Sequence, residues 1–173
     1  MVDGTLAAVL VRPLGSDETG LQEALGAITV AAYVQLEPDI VEHGYDAELR
    51  DVAGRVAAAE VLVALDGNEV LGGVTYVPDA GSAMAEFTDP HAAGVRMLAV
   101  SEPARRRGVG EALTVACIDR ARAGGRHRVI LHSTPAMVAA HRIYKRLGFE
   151  RDPGLDWEPE PGVHLLGFVL PLS

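Results

Sequence analysis

Apolar residues along the chain recur at two spacings. Leu21, Ala24, Leu25, Ile28 and Ala32 repeat every three or four positions behind Ser16 and Asp17, which predicts a helix capped by one of those two side chains. Leu49, Val52 and Val56 predict a second helix from about Tyr45 to Ala59, and Val109, Ala112, Leu113, Ala116, Cys117 and Ala121 a third, ended by Gly124-Gly125. Ala136 to Leu147 predicts a fourth, with Ala140, Ile143, Tyr144 and Leu147 on one face and Gly148 as its stop. Short β-branched and apolar runs predict strands at Ala7–Arg12, Val61–Leu65, Val70–Val77, Val95–Val100, Arg128–Leu131 and His164–Leu170, with one more short strand near Phe149–Arg151. Asp66-Gly67-Asn68 joins two of these as a hairpin, whereas Pro78 to about Ala93 reads as a loop or a ragged strand start.

The order is β, α, α, β, β, β, α, β, α, β, with helices as crossovers around the fifth strand. This pattern predicts an α/β (α+β) fold: a mixed central sheet of six to seven strands flanked by about four helices, with helices on both faces. No internal repeat or low-complexity linker divides the chain, so residues 1–173 read as a single domain.

Composition narrows the class. With 15 Lys and Arg against 24 Asp and Glu, the net charge of −9 argues against a broad nucleic-acid surface and suits a cationic substrate. No run approaches the roughly 18 apolar residues of a membrane span, and the amino terminus lacks the basic flank of a signal peptide. The single cysteine, Cys117, forms no internal disulfide, and no Cys/His spacing resembles a metal site. The expectation is a cytoplasmic protein without a metal. Cys117 sits on an apolar helix face and reads as core.

The basic residues are unevenly placed. Arg105, Arg106 and Arg107 stand together where the strand ending at Val100 turns into a helix opened by Gly108 and Gly110. Such a turn aims backbone N–H groups at one point, and the helix terminus adds about half a positive charge. A pyrophosphate is its natural guest. The nucleoside-triphosphate P-loop and Gly-x-Gly-x-x-Gly signatures are both absent, position 113 being Leu.

Leu98-Ala99-Val100, a proline three residues on, and Arg105-x-x-Gly108-x-Gly110 resemble motif A of the GNAT superfamily of acetyl-coenzyme A-dependent N-acetyltransferases. Met137-x-x-Ala140-x-x-Ile143-Tyr144-x-x-Leu147-Gly148-Phe149 resembles that family's motif B. The resemblance spans roughly residues 93 to 150. It implies acetyl-coenzyme A as cosubstrate and a splayed pair formed by the fourth and fifth strands. The backbone of Leu98, Ala99 and Val100 would then pair with the pantetheine arm, and the amides of Arg106, Arg107, Gly108, Val109, Gly110 and Glu111 would hold the pyrophosphate. Arg105 occupies the family's Gln/Arg position, and the side chains of Arg106 or Arg107 add charge-assisted contacts. Met137 stands where the family usually has asparagine, so it and Ala140 would meet the cofactor through apolar contact.

The resemblance also assigns an acid. Tyr144 matches the tyrosine that protonates the departing thiolate. The base is open. Many relatives carry a glutamate on the motif A strand, but here Gly94, Val95 and Arg96 occupy that stretch. His132, which aligns with a glutamate base of one branch of the family, and Glu86 are the candidates, with Asp89 and His91 as alternates. Acceptor choice in the family comes from the first two helices, the loop before motif A and the last hairpin, here Tyr33 to Tyr45 with Glu37, Asp39, Glu42 and His43, and Asp152 to Pro161 with Asp156, Trp157, Glu158 and Glu160. That acidic, partly aromatic rim suits a cationic small-molecule or peptide amine. Two alternatives stay open: a non-catalytic acyl-coenzyme A sensor, and a transferase using another acyl donor. Edges of the C-terminal strands could pair two copies as a homodimer.

Overall fold

The computed structural model describes residues 9–173. Ala7 and Ala8 of the first expected strand lie outside the described residues. The chain runs β1 (Leu10–Pro13), α1 (Thr19–Leu36), α2 (Tyr45–Arg50), α3 (Val52–Ala58), β2 (Glu60–Asp66), β3 (Glu69–Val77), β4 (Ala92–Val100), α4 (Val109–Ala123), β5 (Arg128–Ser133), α5 (Val138–Arg146), β6 (Glu150–Arg151) and β7 (Leu166–Pro171). The strands form a seven-stranded sheet in the order β1-β2-β3-β4-β5-β7-β6. β4 and β5 are parallel and the other neighbours antiparallel.

β2 is apolar almost throughout because both of its faces are covered. Leu62 and Ala64 pack with Leu113 and Cys117 of α4, in a core that takes in Tyr144 of α5 and Phe168 of β7. Val61, Val63 and Leu65 face the other way, against Leu25 of α1 and Val52 of α3. Helices thus lie on both sides, as the alternation of the strands requires.

Three local expectations are corrected. Neither Ser16 nor Asp17 caps α1, because the side chain nearest the helix start, Glu18, is bound by the Arg12 guanidinium at 2.6 and 2.9 Å and by the Gly15 N–H at 2.7 Å. The single helix expected over Tyr45–Ala59 is two, since Asp51 leaves helical geometry and its carboxylate accepts the Gly54 N–H to start α3 afresh. The last strand starts at Leu166 and returns between β5 and β6, pairing with both.

Candidate active site

β4 and β5 pair only from Ala92↔Arg128 to Val95↔Leu131. Beyond that point β4 continues on β3 to Val100, paired with Gly72, and β5 continues on β7 to Ser133, paired with Leu166. Between the carboxyl ends of these two parallel strands the ladder is open, so backbone groups from Arg96 to Val100 have no partner strand on the β5 side. The opening coincides with an irregularity in β4. Its register with β3 shifts between Gly73 and Thr75, and Met97 holds a left-handed φ of 54°. Such a bulge re-aims the strand that follows it, here Leu98, Ala99 and Val100. Nothing in the sequence marks it, because Met97 carries none of the usual left-handed preferences.

β4 feeds a 3-10 turn at Glu102–Ala104 and then the arginine turn. Arg106 and Gly108 both take positive φ, 67° and 76°. Gly108 stands at the start of α4 with no side chain capping the helix. The first N–H groups of α4, at Val109, Gly110 and Glu111, therefore point outward without intrahelical acceptors, and the positive end of a 15-residue helix lies behind them. A bare Cα at Gly110 lets this turn approach the end of β4: a Cβ there would stand 3.0 Å from Ile143 Cδ1 and 3.6 Å from Val100 Cγ2. An open strand edge leading to an uncapped helix start fits a pantetheine arm ending in a pyrophosphate.

The three arginines differ. Arg105 donates to Gln35 Oε1 at 2.7 Å and Arg107 meets Asp66 Oδ2 at 3.3 Å, while Arg106 has no partner among the described residues. Glu111 is engaged by Arg146 at 3.0 Å. A cleft of about 580 Å³ runs along this turn, between Ala27, Ala31 and Gln35 of α1 and Val100, Ser101 and Arg105. It adjoins the arginine turn, not the titratable groups described next. On the other side, Met137 precedes α5, and Ala140 and Ile143 of that helix pack against the core beside it. α5 is tied to β5 by a His141 Nε2 contact with Ser133 Oγ at 3.0 Å, a link absent from the sequence expectations.

Tyr144 is buried between Phe149 and Phe168, with ring centroids 5.6 and 5.9 Å away. Burial raises its phenol pKa well above the ordinary 10, so the hydroxyl keeps its proton at any physiological pH. Cys117 is fully buried and its thiol pKa is pushed far up for the same reason, which removes it as a nucleophile.

His132 and Glu86 are brought together, although the sequence offered them as alternatives. His132 lies just past the last β4–β5 pair, with its side chain 4 % exposed. Its Nε2 is 2.9 Å from the Leu155 carbonyl oxygen, which can only accept, so Nε2 carries the proton. Nδ1 then faces Glu86 Oε2 at 3.6 Å. The Trp157 ring meets the imidazole edge-on, 6.3 Å between centroids. Asp89 and His91 lie at the opposite end of β4: Asp89 pairs with Arg128 at 2.8 Å, and His91 stacks on His127. Of the two acidic rims, His43 and Glu160 approach to 3.8 Å.

The sequence model of the acetyltransferase (GNAT) family matches residues 27–149, well over half of the chain. The chain belongs to the GNAT acetyltransferase family and is an acyltransferase of that fold. Solved structures agree over nearly the whole length. A protein from Pyrococcus horikoshii OT3 superposes with a TM-score of 0.74 at 15 % identity, covering 96 % of this chain and 99 % of the other. The yncA protein of Salmonella typhimurium, solved with acetyl-CoA, gives 0.66 at 19 % identity over 96 % and 95 %. A Bacillus subtilis acetyltransferase in complex with CoA gives 0.63 at 18 % identity over 96 % and 100 %. No curated protein matches the chain. Among the described residues no helix is long and apolar enough to cross a membrane.

Proposed function

We propose that the chain, acting as one catalytic unit over residues 1–173, transfers an acetyl group from acetyl-CoA to a primary amine by direct attack. The observation that carries this reading is the open β4–β5 edge leading into the uncapped, glycine-opened start of α4. Acetyl-CoA, when bound, supplies the acyl thioester. Leu98, Ala99 and Val100 would hold its arm, and the amides from Arg106 to Glu111 its pyrophosphate, with the Arg106 side chain as the phosphate cation. Met137 and Ala140 would line the same path.

In this reading Glu86 is the group that reaches the acceptor. It is the more exposed member of the pair, at 19 % against 4 % for the His132 side chain, and His132 has one nitrogen committed to Leu155. An ammonium ion entering the splay gives a proton to Glu86, and His132 Nδ1 shares it at Oε2. A backbone N–H of Leu98 or Ala99 polarises the carbonyl. Attack forms the C–N bond and breaks the C–S bond, and Tyr144, kept protonated by burial, gives its proton to the departing thiolate and recovers one from the second N–H that the new amide sheds. The acidic rims favour a cationic small-molecule or peptide amine, and the buried, lone thiol of Cys117 suits the cytoplasm.

The test is thiol release from acetyl-CoA, and from propionyl- and succinyl-CoA, over a panel of spermidine, tyramine, glycinamide and an alanine-first peptide. Turnover with acetyl-CoA and at least one amine supports the reading. Binding of CoA without turnover on any of them would overturn it in favour of a non-catalytic acyl-CoA module.

A further inference from the structure

We infer that Arg96 is a positioning residue of the reaction: it carries the Glu86 carboxylate from a loop to the mouth of the β4–β5 splay, the place where the strand itself has no acid. This rests on Glu86 as the proton acceptor.

Arg96 is the one charged residue of β4, in the segment Ala-Ala-Gly-Val-Arg-Met-Leu-Ala-Val. Its neighbours Val95 and Met97 are buried, and its own side chain is 17 % exposed. A guanidinium so placed is unfavourable unless paired and hydrogen-bonded. It sits one residue beyond the last β4–β5 pair and one before the left-handed Met97. That is the apex of the splay.

All its polar contacts but one go to a single segment. Nη2 meets Glu86 Oε1 at 2.7 Å, and Nη1 donates to the Met84 carbonyl at 3.2 Å and lies 3.9 Å from Met84 Sδ. The exception is the Tyr45 phenol of α2, which faces the same guanidinium. Residues 84–86 lie in no helix or strand, so no backbone ladder places Glu86. A second anchor acts one residue on. The Phe87 ring lies over the bare Cα of Gly94 on β4, where a Cβ would come within 2.6 Å of it. Pinned from both sides, Glu86 offers Oε1 to Arg96 and turns Oε2 to His132, so the two oxygens are fixed in different roles. The charged and titratable groups facing it are Arg96 from β4, His132 from β5, Tyr45 from α2 and Tyr33 from α1. Only Arg96 holds both the carboxylate and the backbone of its loop, at the Met84 carbonyl two residues before it.

A double-mutant cycle on the full chain tests this, with the fastest amine of the panel above and saturating acetyl-CoA. Glu86→Gln should lower kcat about 100-fold. Arg96→Met should lower kcat by a comparable factor, since a misplacement of about 1 Å can cost as much, while KM for acetyl-CoA stays within about twofold. In the Glu86→Gln background Arg96→Met should cost almost nothing more. Arg96→Lys, with one donor centre for two contacts, should fall between and show the same loss of effect in that background, which keeps the cycle decisive if Arg96→Met does not fold. Equal losses from Arg96 substitution in both backgrounds would overturn the inference and leave a merely structural arginine. An unchanged kcat in Glu86→Gln would instead remove Glu86 as the proton acceptor and the inference with it, whereas a chain that binds CoA but turns over no amine would show that the proposed function itself is at fault.

Discussion

The imidazole of His132 stands between two acceptors of different kinds, the Leu155 carbonyl at 2.9 Å and Glu86 Oε2 at 3.6 Å. The carbonyl fixes the proton on Nε2, so a proton arriving at Glu86 finds a lone pair at Nδ1. His132→Asn replaces that basic nitrogen by an amide that takes up no proton, and kcat should fall by about tenfold, less than in Glu86→Gln, because the carboxylate still accepts the proton. Steady-state rates for both variants check the order. A larger loss in His132→Asn would make the histidine the primary base.

Tyr144→Phe deletes one hydroxyl and keeps the ring packed against Phe149 and Phe168. Turnover should fall about 100-fold while the melting temperature and its response to CoA stay nearly constant. Unchanged turnover would take Tyr144 out of the mechanism and leave it a core aromatic.

Gly94→Ala places a methyl 2.6 Å from Phe87 Cε1, so the ring must move and take Glu86 with it. Overpacking of this kind costs about 1–3 kcal/mol, seen as a lower melting temperature, and kcat should fall together with it. Phe87→Ala combined with Gly94→Ala should recover part of the stability without recovering turnover.

Arg12 and the Gly15 N–H hold the Glu18 carboxyl at a pKa of about 2, below its ordinary 4.5. A carboxylate whose pKa is depressed by folding stabilises the folded state above its ordinary value, and that contribution is lost as pH falls through the folded value. The melting-temperature difference between the native chain and Glu18→Gln should be present at neutral pH and shrink between about pH 4.5 and 2. The Glu18 side chain is half-buried at the protein surface, 28 % exposed, so the difference should be small and should weaken with salt.

The sequence made the sheet and its helices legible because burial writes itself into periodicity: Leu113 and Cys117 recur at helical spacing, and β2 is apolar on both faces. The arginine-glycine turn was legible because glycine is needed where φ is positive, as at Gly108. Boundaries set by a single polar contact were not legible. Asp51 ends one helix and caps the next through its own side chain, and Glu18 is captured by Arg12 before it can cap. The meeting of Glu86 with His132 was hidden for a related reason. It joins a loop to a strand 46 positions away in the chain, through Arg96, and no local pattern records such a contact. The one visible sign was an arginine in the middle of an apolar strand. Met97 left no sign at all, since a left-handed methionine in a bulge is imposed by the sheet around it.

Thermal unfolding with acetyl-CoA, CoA, ATP and NAD, for the native chain and a Gly108→Asp/Gly110→Asp variant, tests the central claim most directly. Asp side chains there place negative charge and bulk at the helix start that is to receive the pyrophosphate. The native chain should melt roughly 5 to 10 °C higher with acetyl-CoA or CoA at about 100 times its dissociation constant, should not respond to ATP or NAD, and should lose the response in the double variant. A folded native chain that ignores both coenzyme A forms, or a double variant that responds as the native chain does, would contradict the assignment of this turn and the mechanism built on it.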